Sequence, residues 1–205
     1  MPTKPTQKSK RRKPEITGRK ARFEYRVWGE YRAARKLLRK LADEETREEV
    51  TDCYLLVDDP TWNAKVRDNT LKIKQLIAED KGFERWTSER HHSADSAPSP
   101  FDDLYDELEL DRLRTEKKFD IDDAVARLAP DSGVRAVFVT KTRRRYRIGE
   151  LRAEVTDVEM TETNEVMRTI SIEGADLREL VKLRKKLGLK GEPNTPVHQA
   201  IDPDD

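Results

Sequence analysis

Two neighbouring stretches of the chain alternate between basic and apolar side chains. They read NAKVR at 63–67 and LKIK at 71–74, with an Asp-Asn pair between them. Because residues two apart share one face of a β-strand, this pattern predicts a hairpin with one apolar and one cationic face. The cationic face, which carries Lys65, Arg67, Lys72 and Lys74, is either ordinary wet surface or the lining of a site that needs positive charge.

The same alternation recurs along most of the chain and predicts further strands. Candidate strands cover residues 21–29, 50–57, 82–86, 134–148, 150–160 and 167–174. Apolar residues at helical spacing predict helices after residue 30, within 101–129 and over 175–189. Many strands with a few helices indicate an α+β protein, in which a closed or nearly closed antiparallel sheet is flanked by helices.

Composition divides the chain into one structured domain and two tails. We predict a disordered basic tail over 1–19, a domain over 20–190 with a helical insertion at about 101–129, and a disordered tail over 191–205. Residues 87–100, which hold no apolar residue larger than alanine apart from prolines, are expected to form an exposed loop. The basic tail is either a solubilising leader or a weak tether for nucleic acid or polyphosphate.

Charge and cysteine usage narrow the class of protein. The 42 lysines and arginines nearly balance 41 aspartates and glutamates, which argues against a dedicated DNA-binding domain. The single cysteine, Cys53, allows no disulfide framework and fits a reducing compartment. The chain has no apolar run of about 18 residues and no secretory leader, so we expect a cytoplasmic protein that does not enter a membrane.

Charged residues on the predicted strand faces suggest a specific chemistry. If the sheet curls into a barrel, several cations and a few carboxylates meet in one polar lumen. The cations suit a ligand with several phosphates, and the carboxylates suit Mg²⁺ or Mn²⁺, which bridge to phosphate oxygens. Together they suit metal-assisted phosphoryl transfer. The alternative is that these faces are the solvated surface of a half-open sheet.

Several motifs resemble the CYTH superfamily, the triphosphate tunnel metalloenzymes. The matching pieces are TDCYLLV, NAKVRDNTLKIK, VTKTRRRY, AEVTDV and ISIEGADLRELVKLRKKLGL, spread over about residues 21–189. This superfamily includes class IV adenylyl cyclases, thiamine triphosphatases, inorganic triphosphatases and RNA triphosphatases. The resemblance implies an eight-stranded antiparallel β-barrel and a tunnel that holds a polyphosphate or a nucleotide. Because members of the family frequently dimerise, it also makes a homodimer a reasonable expectation.

The resemblance also implies roles for individual residues. The catalytic basic residues would be Lys65, Arg67, Lys141 and Arg143. The substrate-binding basic residues would be Arg26, Lys72, Lys74 and Arg145. The carboxylates that hold Mg²⁺ or Mn²⁺ would be Glu24, Glu154 and Glu173.

The first strand departs from the family pattern Glu-x-Glu-x-Lys. The matching positions are Arg22, Glu24 and Arg26, so a cation replaces the first glutamate. A lumenal Arg22 would repel a metal ion. The resemblance as a whole implies metal-dependent hydrolysis of inorganic tripolyphosphate or a nucleoside triphosphate, whereas Arg22 favours binding without hydrolysis. The alternatives are a non-catalytic module that binds polyphosphate, nucleotide or an RNA 5′-triphosphate, and an adenylyl cyclase of class IV type.

Overall fold

Nine strands and three helices make up the described part of the protein. The structure is a computed structural model that describes residues 21–68, 70–87, 90–93 and 133–202. The strands are β1 (Arg22–Trp28), β2 (Glu44–Leu56), β3 (Trp62–Arg67), β4 (Thr70–Asp80), β5 (Phe83–Trp86), β6 (Arg90–Ser93), β7 (Arg135–Ile148), β8 (Leu151–Met160) and β9 (Val166–Gly174). The helices are α1 (Arg32–Leu41), α2 (Leu177–Lys186) and α3 (Val197–Ala200).

Eight of these strands close into an antiparallel barrel. Their order is β3-β2-β7-β8-β9-β1-β5-β4, and β4 pairs again with β3 to complete the ring. The predicted α+β barrel is therefore confirmed. β6 lies within the stretch 87–100 that was expected to be a loop, and it pairs with the first residues of β4. Backbone hydrogen bonding to β4 makes this polar stretch a strand without an apolar face of its own.

The longest strand pair joins β2 to β7 over thirteen residues. β2 begins six residues earlier than the sequence indicates. The sequence prediction missed these residues because the first half of the strand is charged and lacks an apolar alternation. The partner strand explains this extension, since β7 is basic where β2 is acidic. Glu44 lies opposite Arg147 and accepts a hydrogen bond from it at 3.1 Å, and Glu48 lies opposite Arg143 and accepts one at 2.6 Å.

The main apolar core lies outside the barrel, between the sheet and helices α1 and α2. Strand residues such as Tyr25 and Ile172 pack there with Leu38 of α1 and Leu180 of α2, all at most 1% exposed. The carboxylate of Asp176 caps α2 by accepting hydrogen bonds from its first amides. Because apolar strand residues face outward to the helices, their polar neighbours must face the lumen.

The structure describes residues 191–202 of the stretch 191–205, which was predicted to be a disordered tail, and these residues pack against the barrel. We call residues 191–202 the C-terminal segment. Its side chains Val197 and Ile201 are buried in a second apolar cluster with Tyr54, Val139 and Val158. The sequence prediction failed because these two apolar residues are isolated among proline and polar residues. The predicted basic tail and helical insertion lie outside the described residues.

Within the described residues, no helix has the length and apolar character needed to span a lipid bilayer.

Candidate functional site

The barrel encloses a cavity of about 630 Å³. The strands place every residue that alternation had singled out on the cavity wall. These are Glu24, Arg26, Lys65, Arg67, Lys72, Lys74, Lys141, Arg143, Arg145, Glu154 and Glu173. The roles assigned to them stay predictions, but their convergence on one space follows from the closure of the sheet.

The register of β3 and β4 brings two cations side by side on the cavity wall. Lys65 on β3 lies directly opposite Lys72 on β4, and both line the cavity. Like charges in directly opposed positions destabilise a sheet. A cavity that keeps such a pair is suited to an anion that would lie between them.

A buried carboxylate organises three cations from two strands. Asp52 on β2 is fully buried and accepts two hydrogen bonds from the guanidinium of Arg67, at 2.5 and 2.7 Å. It also accepts one from the ammonium of Lys141 at 3.0 Å and lies 3.6 Å from that of Lys65. Lys141 further donates to the hydroxyl of Tyr54. These contacts fix three basic head groups in place before any ligand arrives.

The environment shifts the pKa values of this cluster in defined directions. Burial would raise the pKa of Asp52, but the hydrogen bond from Arg67 and the charges of Lys65 and Lys141 hold it well below its usual range. Burial and the neighbouring charge of Lys65 lower the pKa of Lys141, and Asp52 opposes that effect. Asp52 is therefore a stable anion, whereas Lys141 is a lysine that releases its proton more readily than usual.

A second carboxylate, the largely buried Glu154 on β8, serves the same purpose on the far side of β7. Its oxygens accept hydrogen bonds from Arg143 at 2.9 Å and from the hydroxyl of Thr156 at 2.7 Å. Arg26 and Arg145 each lie 3.6 Å away. Burial alone would raise the pKa of Glu154, but the charges of Arg143 and Arg26 keep it well below its usual value. Glu154 thus positions Arg26, Arg143 and Arg145, and its carboxylate oxygens already have these arginines as partners.

The other two predicted metal ligands are also paired with cations. Glu24 accepts a hydrogen bond from Lys74 at 2.6 Å. Glu173 lies 3.3 Å from Arg22 and 3.5 Å from Arg152. Among the described residues, no three histidine, cysteine, aspartate or glutamate side chains form a set that could hold a metal ion. In the structure a cation thus engages each of the three glutamates, and their role as ligands of Mg²⁺ or Mn²⁺ stays a prediction.

Glu84 on β5 is a lining residue that sequence analysis missed. It is buried, lies directly opposite Glu24 and accepts a hydrogen bond from the indole of Trp86 at 3.2 Å. Burial raises the pKa of Glu84 to about 7, with a smaller contribution from the neighbouring charges of Glu79 and Glu24. The short stretch GFERW offered one signal, a glutamate between aromatic residues in a predicted strand.

Asp52 and Glu48 were missed for a different reason. Both lie on β2, whose charged first half gave no readable pattern, and Asp52 stands alone in the apolar stretch that follows it. Alternation was still a usable signal, since Glu48 and Asp52 share one face with Tyr54.

Solved structures share this fold at low sequence identity. The PH1012 protein from Pyrococcus horikoshii OT3 matches with a TM-score of 0.54 and 17% identity, over 85% of this chain and 94% of that one. A conserved hypothetical protein from Pyrococcus furiosus matches with a TM-score of 0.54 and 18% identity, over 85% and 95%. A candidate adenylate cyclase from Bacillus halodurans matches with a TM-score of 0.50 and 13% identity, over 87% and 95%.

The chain thus shares the fold of these proteins, and the eight-stranded antiparallel barrel that the sequence motifs implied is confirmed. No family model and no curated protein matches the sequence. At these identities the likeness establishes the fold, and the activity has to be argued from the chemistry of the cavity.

Proposed function

We propose that the cavity binds the triphosphate group of a small molecule, either inorganic tripolyphosphate or a nucleoside triphosphate. The observation that carries this proposal is the charge of the lining. Among the described residues, ten lysines and arginines line the cavity against five glutamates. Adding Asp52 and Glu48, which contact these cations, brings the carboxylates to seven and leaves a formal excess of three basic over acidic side chains.

The arrangement of these charges suits phosphate better than a single carboxylate ligand. Arginines supply planar pairs of donors and lysines supply point charges, and both make strong charge-assisted hydrogen bonds to phosphate oxygens. Arg26, Lys65, Lys72 and Arg143 come from different strands, so they surround the cavity instead of forming one patch. Each of several consecutive phosphates could therefore contact a cation.

Ligand-dependent thermal stabilisation tests the proposal. We expect tripolyphosphate and ATP to raise the Tm of the protein, and to raise it much less in Lys65→Ala and Lys72→Ala. Loss of a hydrogen bond to a charged group should weaken binding by about tenfold to a hundredfold. Lys182→Ala is the matched control, because Lys182 is exposed and pairs with Glu179 on the outer surface of α2. Equal stabilisation of all four proteins, or of none, would contradict the proposal.

Metal-dependent hydrolysis of the same triphosphates is the second candidate function. One observation favours it, since Glu24 and Glu173 lie directly opposite each other on β1 and β9 and both line the cavity. In the structure these carboxylates hold Lys74 and Arg22 instead, and both ion pairs would have to open before the carboxylates could serve a metal ion.

Phosphate release separates hydrolysis from binding alone. The protein would be incubated with tripolyphosphate or ATP and either Mg²⁺ or Mn²⁺, with Glu173→Gln as the control. Release above that control supports hydrolysis, and production of cyclic AMP with pyrophosphate would support the cyclase alternative. Stabilisation by ligand without any product supports a binding module.

A further inference from the structure

The barrel wall is interrupted beside β1, and the C-terminal segment fills the interruption. β1 pairs with β9 along Phe23–Trp28 but with β5 only along Arg22–Glu24. Beyond that point, the amide of Arg26 donates to the side-chain oxygen of Asn194 at 2.7 Å, and the amide of Thr195 donates to the carbonyl of Arg26 at 3.0 Å. The segment therefore satisfies backbone groups that a neighbouring strand would otherwise pair.

From the wall, the segment turns into the lumen. Pro196 and Val197 line the cavity, and the side chains of Val197 and Ile201 pack against lumen-facing residues of three strands. Those residues are apolar and at most 3% exposed: Tyr54 and Leu56 on β2, Val139 on β7 and Val158 on β8. One end of the lumen is thus a dry, packed floor below the charged cavity.

Several contacts anchor this floor to different parts of the barrel. Asp202 pairs with Arg135 of β7 at 2.6 Å. The ring nitrogen Nε2 of His198 lies 3.2 Å from the carbonyl oxygen of Pro60, in the turn after β2. The same ring meets Trp86 edge-on, with the ring centres 5.6 Å apart. The segment is therefore an integral part of the barrel.

The opposite end of the cavity is where a ligand can enter. The lining residues Glu44, Arg147 and Arg152 have side chains that are 57%, 59% and 63% exposed. They contrast with the buried floor at Val197 and Ile201. In the part of the chain that the structure describes, the cavity thus runs from a charged, solvent-facing mouth to a closed apolar floor.

We infer that the cavity is blind and takes only the free end of a polyphosphate chain. This inference rests on the proposed function and specifies its ligand class. Short molecules with a terminal triphosphate fit, whereas the interior of a long polyphosphate cannot pass through the barrel because residues 194–202 occupy its path. The C-terminal segment is then the specificity determinant that distinguishes chain ends from chain interiors.

Binding stoichiometry with defined polyphosphates tests the inference on the intact protein. The probes are tripolyphosphate, linear polyphosphates of two different lengths with free ends, and the same chains with both ends blocked as phosphoramidates of a bulky amine. Calorimetric titration at moderate salt gives the number of proteins bound per chain. The double variant Lys65→Ala/Lys72→Ala measures any binding that arises outside the cavity, which includes the basic N-terminal stretch.

The expected result is one bound protein per tripolyphosphate, two per long chain whatever its length, with one protein at each free end, and no cavity-dependent binding of the blocked chains. Binding of blocked chains that the double variant loses, or a stoichiometry that grows with chain length, would overturn the blind cavity while leaving the proposed function intact. If tripolyphosphate itself fails to bind, the proposed function fails, and the inference fails with it.

Discussion

Arg22 on β1 and Glu173 on β9 form an ion pair of 3.3 Å at the edge of the cavity. A glutamate would stand at position 22 in the family pattern, on the same strand face as Glu24. In this protein a guanidinium stands there and occupies one of the carboxylates that a metal ion would need. The pair is partly exposed, so its effect on the chemistry of the site matters more than its contribution to stability.

Replacing Arg22 tests that effect directly. Arg22→Glu removes the nearer of the two cations that contact Glu173 and adds a carboxylate on the face of Glu24, and divalent cations prefer such oxygen ligands. We expect Mn²⁺ to raise the Tm of Arg22→Glu more than that of the wild type. Arg22→Gln removes the positive charge without adding a ligand and serves as the control. Identical responses of all three proteins to Mn²⁺ would refute the role given to Arg22.

The buried carboxylate of Asp52 should be essential to the stability of the barrel. Asp52→Asn leaves Arg67, Lys65 and Lys141 close together without their shared counter-ion. Removing one partner from a buried ion pair costs about 3–5 kcal/mol in the free energy of unfolding. Urea unfolding measures this loss. Asp157→Asn, which breaks a partly exposed pair with Arg168 on the outer face, should cost about 1 kcal/mol or less.

Glu84 should make stability depend on pH below neutrality. Burial raises the pKa of Glu84 in the folded protein to about 7, above the value of 4.5 that is usual for glutamate, so the folded protein binds more protons than the unfolded chain between these values. The contribution of Glu84 is therefore complete below about pH 4.5 and is lost as the pH rises through about 7. Its steepest slope is about 1.4 kcal/mol per pH unit.

Urea unfolding of Glu84→Gln across this pH range checks the expectation. The variant should lose the downward slope that Glu84 contributes, whereas Glu79→Gln, at an exposed position on the neighbouring strand, should keep it. The same slope in the wild type and in Glu84→Gln would show that Glu84 ionises normally.

The packed floor of the cavity should contribute measurably to stability. Ile201→Ala removes a side chain that is 3% exposed in the cluster with Val197 and Val139. We expect a loss of about 2–5 kcal/mol in the free energy of unfolding, measured by urea denaturation. Gln199→Ala on α3 lies outside that cluster and should have little effect. A negligible loss for Ile201→Ala would show that the C-terminal segment is not packed in solution.

Alternation predicted the strands and their cationic faces, because a period of two fixes which side chains share a face. It left open whether these faces line a lumen or a half-open sheet, since closure depends on strand tilt and stagger, and the eight-stranded barrel was implied by the family resemblance. Lys65 and Lys72 could be recognised because each stands between apolar neighbours. Asp52 could not be assigned a role, since its importance depends on cations from β3 and β7 that are distant in sequence. Long-range pairing also explains the missed C-terminal segment, whose two apolar residues acquire a partner only after the barrel exists.

The hydrogen bond between Arg26 and Asn194 also has a consequence for the order of folding. It joins residues 168 positions apart, and β1 pairs with β9, so the first of the described strands can pair fully only after residues near the end of the described part have been synthesised. Contacts of such long sequence separation slow folding and leave strand edges open in the meantime. On the ribosome, the ability to retain an anion should therefore be the last property that the growing chain acquires.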